Sequence, residues 1–197
     1  MFGARIVIAD ADVNSRKKLK EILILAGYLV VGEVSEGRSA LKVVFQTDPD
    51  LVIMDTMLPG AAGLDIIRII EEHRVAPVIL LADSRGRDML EEVKDSWIFA
   101  FLVKPVSDAQ LVPAIEIAIA NFRKFIKLEE ENKGLKQALE ERKLVEKAKG
   151  LLMEARALSE KEAYKYLQRL SMDNCVPIVR VAKKVIKLYS KKDNKRQ

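Results

Sequence analysis

Five short apolar runs punctuate the first half of the chain: Arg5–Ala9, Leu29–Glu33, Leu51–Met54, Val78–Leu81 and Phe99–Val103. Each has the length and near-continuous hydrophobicity of a strand buried on both faces. Between them lie stretches with helical periodicity, such as Arg16–Ala26 and Leu64–His73. This alternation predicts an α/β fold over residues 1–120: a doubly wound, five-stranded parallel sheet covered by helices on both faces. Such sheets bind ligands beyond the carboxyl ends of their strands. Asp10, Asp12, Asp55 and Lys104 all fall at such ends.

The pattern changes after Ser107-Asp-Ala-Gln110, a capping-box sequence that opens the helix following the fifth strand. Phe125, Leu128, Asn132, Leu135, Leu139 and Arg142 then recur at alternating spacings of three and four, the a/d seam of a coiled coil. This predicts a linker helix over 121–141 that pairs with a second copy, with Asn132 fixing register in a parallel homodimer. A lone amphipathic helix packed on one of the two domains is the other reading of the same seam. Residues 142–190 read as a three-helix bundle. Leu144, Ala148, Leu151, Leu152 and Ala155 mark the first helix, and the capping box Ser159-Glu-Lys-Glu162 opens the second, with Ala163, Leu167 and Leu170 on one side. Pro177 suits the start of the third, whose stripe is Ile178, Val181, Ala182, Val185, Ile186 and Tyr189. Residues 191–197 form a charged tail.

Charge separates the halves. Residues 1–120 carry 13 Lys and Arg against 18 Asp and Glu, a net −5; residues 121–197 carry 21 against 11, a net +10. The basic half is suited to a polyanion, with nucleic acid ahead of membrane. No secretory leader or membrane-length apolar run is evident, and the single Cys175 can form neither an internal disulfide nor a metal cage; both point to a reducing cytoplasm. His73 is the only histidine and lies on a helix remote from the acidic cluster at the strand ends. With no triad and no glycine-rich phosphate loop, a regulator is expected and not an enzyme.

Val52-Ile-Met-Asp55-Thr-Met-Leu-Pro59, with Gly63 following, and Leu102-Val-Lys104-Pro105 resemble the receiver domain of two-component response regulators, over about residues 3–122. The resemblance implies a flavodoxin-like fold. It makes Asp55 the phosphoacceptor for a histidine kinase and Lys104 the cation that steadies the phosphoryl group. It also implies Mg2+ held by acids around Asp10, Asp12 and Asp55, and a switch at positions 82 and 101. Three residues depart from the family pattern. Ala11 occupies the place of the principal metal-binding acid, Ala82 replaces the switch hydroxyl, and Trp97 stands where a glycine usually precedes the fifth strand; Phe101 keeps its aromatic ring. Losing a direct carboxylate ligand weakens Mg2+, so slow phosphorylation is expected. The opposed reading is a pseudo-receiver that docks another regulatory protein and controls dimerisation.

Arg142-Lys-Leu-Val-Glu-Lys-Ala-Lys-Gly150-Leu-Leu-Met153, followed by Glu162-Ala-Tyr164, Leu167, Arg169, Ser171-Met172, Val181-Ala182 and Val185-Ile186, resembles the ANTAR domain of antitermination regulators. The resemblance implies binding of paired hairpins in nascent messenger RNA. Looped-out bases require aromatic or guanidinium planes and hydrogen-bond donors. Arg142, Lys147, Lys149, Tyr164, Lys165, Gln168 and Arg169 are the candidates, while Ala148, Gly150 and Ala163 read as packing residues that allow close helix approach. A DNA-binding response regulator and a protein-interaction adaptor remain as alternatives.

Overall fold

The computed structural model describes residues 3–60, 63–83 and 98–193. In chain order these form β1 (Arg5–Ala9), α1 (Val13–Leu25), β2 (Leu29–Val34), α2 (Gly37–Thr47), β3 (Leu51–Asp55) and α3 (Gly63–Glu72). Then come β4 (Val78–Ala82), β5 (Ile98–Val103), α4 (Asp108–Arg156), α5 (Glu160–Asp173) and α6 (Ile178–Asp193). The chain divides into two compact units, Met1–Lys127 and Leu128–Gln197. Trp97 and residues 194–197 lie outside the described residues.

The first unit is the anticipated parallel sheet, in the order β2-β1-β3-β4-β5. Its central strands β1, β3 and β4 read almost without interruption as buried apolar residues because both faces are covered. Ile6, Ile8, Ile53, Ile79 and Leu81 pack on one face with Leu19 and Leu23 of α1 and Leu111, Ile115 and Ile119 of α4. Val7, Ala9, Val52, Met54 and Leu80 pack on the other with Ala40 and Val44 of α2 and Ile66, Ile67 and Ile70 of α3. Gly32 of β2 stands in close approach to α2: a Cβ there would collide with Cγ1 of Val43 unless that side chain moved.

The start of the first helix differs from the sequence expectation. α1 begins at Val13 because Asp12 caps it, accepting from the backbone N–H groups of Asn14 at 2.7 Å and Ser15 at 3.1 Å. α4 is one helix of 49 residues and runs on well past the first domain, as the lack of a breaker between Pro113 and Gly134 leads one to expect. Gly134 does not interrupt it, since a single helical glycine costs only about 1 kcal/mol against alanine. At its start, only half of the expected capping box forms. The Ser107 N–H reaches Gln110 Oε1 at 3.3 Å, and the Ser107 hydroxyl donates to the same oxygen.

The second unit closes around Val145, Ala148 and Leu152 of α4, Ala163 and Leu167 of α5, and Val181, Ala182 and Val185 of α6. The first helix therefore turns Val145 inward where Leu144 was expected, and Ala155 is exposed. The full capping box at Ser159 and Glu162 forms as read from the sequence. α6 extends to Asp193, so the first residues of the anticipated tail are helical.

Candidate functional site

At the carboxyl end of the sheet, β1, β3 and β5 each deliver one charged side chain to a common point. Lys104 Nζ lies 2.6 Å from Oδ2 of Asp10 and also donates to Oδ2 of Asp55. Asp10 is buried at 1% exposure, and its carboxylate also accepts from the Ser15 hydroxyl at 2.6 Å and from the Asp12 N–H at 2.8 Å. Asp55 accepts from the Met57 N–H at 2.7 Å. Burial alone would depress the Lys104 ammonium, but its hydrogen bonds to Asp10 and Asp55 hold its pKa above the ordinary lysine value. The Lys104 N–H donates to the Ala82 carbonyl, tying β5 to the end of β4. A cleft of about 400 Å³ opens beside this lysine, lined among others by Ser15, Lys18, Asp83 and Pro105.

The three carboxylates assigned to a cation do not converge. Asp12 is exposed and committed to the helix cap, and those two backbone hydrogen bonds hold its pKa below the usual aspartate value. Asp10 and Asp55 face Lys104. Among the described residues, no group of three Asp, Glu, His or Cys side chains is arranged to hold a metal ion. The residues present therefore do not fit a tightly held Mg2+, because the ammonium supplies the positive charge that the carboxylates share. At the switch positions, Ala82 is fully buried and Phe101 is half-buried against the α2–α3 face. Thr56, which follows β3 and whose N–H donates to the Leu81 carbonyl at 2.9 Å, is buried with no hydrogen-bond partner for its hydroxyl among the described residues.

Sequence reading missed Ser15 and Arg16. The Arg16 guanidinium donates to the Asp10 and Ala11 carbonyls and holds the loop after β1. The Asp12-x-x-Ser15 spacing, a helix N-cap pattern, was the available signal.

In the second unit, Arg142, Lys147, Tyr164, Lys165, Gln168 and Arg169 are exposed, whereas Lys149 is not. Lys149 is 7% exposed, with its ammonium 2.8 Å from Glu160 and 2.9 Å from Glu146. Its Nζ also lies 6.0 Å from the centre of the Tyr164 ring. These carboxylates raise the pKa of Lys149, and Lys149 in turn lowers that of Glu160. Lys149, expected as an RNA contact, thus sits at the centre of an ion cluster joining α4 to α5, with both of its carboxylate partners exposed. Gly150 also departs from expectation: a Cβ there would meet nothing within 4 Å, so close helix packing does not require glycine.

A family model of the response regulator receiver domain matches residues 6–116, and one of the ANTAR domain matches residues 133–186. The chain belongs to the ANTAR response regulators. Among its relatives, the transcriptional regulatory protein PdtaR of Mycobacterium tuberculosis strain H37Rv is 41% identical over 182 residues, covering 92% of this chain and 89% of that protein. The chemotaxis protein CheY of Thermotoga maritima is 32% identical over 115 residues, 58% of this chain and 96% of CheY. A response regulator receiver domain protein from Clostridium thermocellum superposes with a TM-score of 0.56 at 28% identity, covering 62% of this response regulator and 98% of that chain. No helix among its described residues is long and apolar enough to cross a membrane.

Proposed function

We propose that this response regulator controls transcription by antitermination, its ANTAR domain binding paired hairpins in a messenger leader and so preventing a terminator from forming. The observation that carries this reading is the exposed set Arg142, Lys147, Tyr164, Lys165, Gln168 and Arg169, on a unit whose neighbourhood from residue 121 onward has a net charge of +10. Cations attract phosphates, while an exposed tyrosine and guanidinium offer planes to unstacked bases.

Two copies joined through α4 would present two such faces, and the second hairpin then gains from effective concentration. Leu128, Leu135 and Leu139 are 63%, 72% and 54% exposed, an apolar seam that pairing with a second α4 would cover. The receiver supplies the control. Asp55 is the candidate acceptor from a histidine kinase, with Lys104 beside it. The lack of a three-acid site among the described residues favours slow phosphorylation and regulation through contacts with another protein.

Transcription in vitro through a leader carrying two tandem hairpins ahead of a terminator tests the reading. Added protein is expected to raise readthrough, and Arg169→Ala to reduce that gain. Unchanged readthrough at concentrations that saturate the RNA would contradict antitermination.

A further inference from the structure

The second unit contains a cavity of about 260 Å³ that none of the candidate RNA-binding residues lines. Its walls come from all three helices: Leu152 and Arg156 of α4, Tyr166 and Leu170 of α5, and Val185, Leu188 and Tyr189 of α6. Arg156 is the last residue of α4, and Ala157 follows in the left-handed region at φ 52°. The guanidinium carbon stands 4.7 Å from the centre of the Tyr166 ring, and Arg156 Nε donates to the Tyr189 hydroxyl at 3.1 Å. An apolar floor thus meets a guanidinium that lies over one phenol ring and is hydrogen-bonded to another.

We infer that this cavity receives a single unstacked nucleobase of the bound RNA, an inference that rests on the RNA-binding reading above. The chemistry selects this occupant in three ways. The cavity falls below the roughly 300 Å³ at which pockets for drug-sized ligands begin, but one planar ring needs no more than a shallow slot. Aromatic and guanidinium planes are the surfaces on which splayed bases stack. The guanidinium has five N–H donors, more than its hydrogen bonds to Tyr189 and Tyr166 use. Cations for the flanking phosphates are also in place. Arg169 follows Tyr166 by three residues and Lys184 precedes Leu188 by four, so each is a surface neighbour of a cavity wall on its own helix. Both are exposed. The site extends the Lys165–Arg169 edge of α5 and does not involve the Lys149 cluster.

The test uses the full-length protein. An RNA enriched on it from a pool of tandem hairpins with randomised loops is re-made with each loop base replaced singly by 2-aminopurine or by an abasic residue. One loop position is expected to change 2-aminopurine fluorescence on binding. Its abasic form should bind about tenfold or more weakly, the scale of one lost base stack. Tyr166→Leu and Arg156→Met should each cause a similar loss on intact RNA and little further loss on that abasic RNA, because both changes remove the same contact. Tyr189→Phe, which preserves ring volume, should cause a smaller loss. Thermal unfolding followed by circular dichroism identifies any variant that is simply misfolded, and Tyr189→Phe with the abasic series keeps the test decisive in that event. If an RNA is enriched but the losses from protein and RNA changes add at every loop position, the cavity is not the base site and the RNA reading survives. If no RNA is enriched over duplex DNA, both fall together.

Discussion

Lys104 and Asp10, 94 residues apart in sequence, meet at 2.6 Å in the floor of the receiver pocket. Asp10 has almost no contact with solvent, and its carboxylate oxygens are instead met by this ammonium and by the Ser15 and Asp12 donors. Removing one partner of a buried pair leaves the other uncompensated, at a cost of about 3–5 kcal/mol. Lys104→Met is expected to destabilise the receiver near the lower end of that range, since the lysine side chain retains 17% exposure. Urea unfolding of the single variants and of Asp10→Asn with Lys104→Met measures it, and the double variant should lose less than the sum of the two.

Ala11 and Ala82 leave the same pocket without a third carboxylate and without a switch hydroxyl. The unaltered protein is expected to bind Mg2+ weakly and to label slowly at Asp55 with a small-molecule phosphodonor. Ala11→Asp with Ala82→Thr should give tighter Mg2+ binding by calorimetry and faster acyl-phosphate formation by mass measurement, both lost on adding Asp55→Asn. Rapid stoichiometric labelling of the unaltered protein would contradict the assignment.

Much of this pocket was legible because strand ends are marked by abrupt changes from apolar to charged residues, as at Ala9-Asp10, Met54-Asp55 and Val103-Lys104. What those charges do to one another was not. Asp12 has the composition of a metal ligand and the spacing of a helix cap, and only the backbone path shows that the cap prevails. Lys149 illustrates the same limit. Its motif suggested an outward cation, but α5 brings Glu160 against it from 11 residues away, a pairing with no periodic signature. The Arg156–Tyr166–Tyr189 cavity was invisible for a related reason, since its three polar residues come from three helices.

The Lys149 cluster is expected to make the second unit sensitive to pH at both extremes. Glu160 has its pKa lowered by Lys149, so its contribution is present above the ordinary glutamate value of 4.5 and is lost as pH falls through the depressed folded value. Lys149 is raised, so its contribution is present below 10.5 and is lost as pH rises through its higher folded value. A stability plateau between these limits is expected. Glu160→Gln should flatten the acid limb while leaving the alkaline limb in place, because Glu146 still pairs with Lys149. Thermal unfolding monitored across pH measures both limbs.

The exposed Leu135 and Leu139 predict association through α4. Leu135→Glu with Leu139→Glu should shift the full-length protein toward monomer in sedimentation, with the receiver still folded by circular dichroism. A mass distribution identical to that of the unaltered protein would exclude this seam as the dimer contact.

Recognition of hairpin RNA by the ANTAR domain is the central claim. Its most direct test is equilibrium binding of the full-length protein to an enriched tandem-hairpin RNA, to the same RNA with scrambled loops and to duplex DNA, all at one salt concentration. The intact hairpins are expected to bind at least tenfold more tightly than either comparison, with Arg169→Ala costing about 1–3 kcal/mol on the intact RNA. Equal affinity for all three would leave only the attraction of a basic surface for any polyanion, and no detectable binding to any would leave a protein-interaction adaptor; either result contradicts the account.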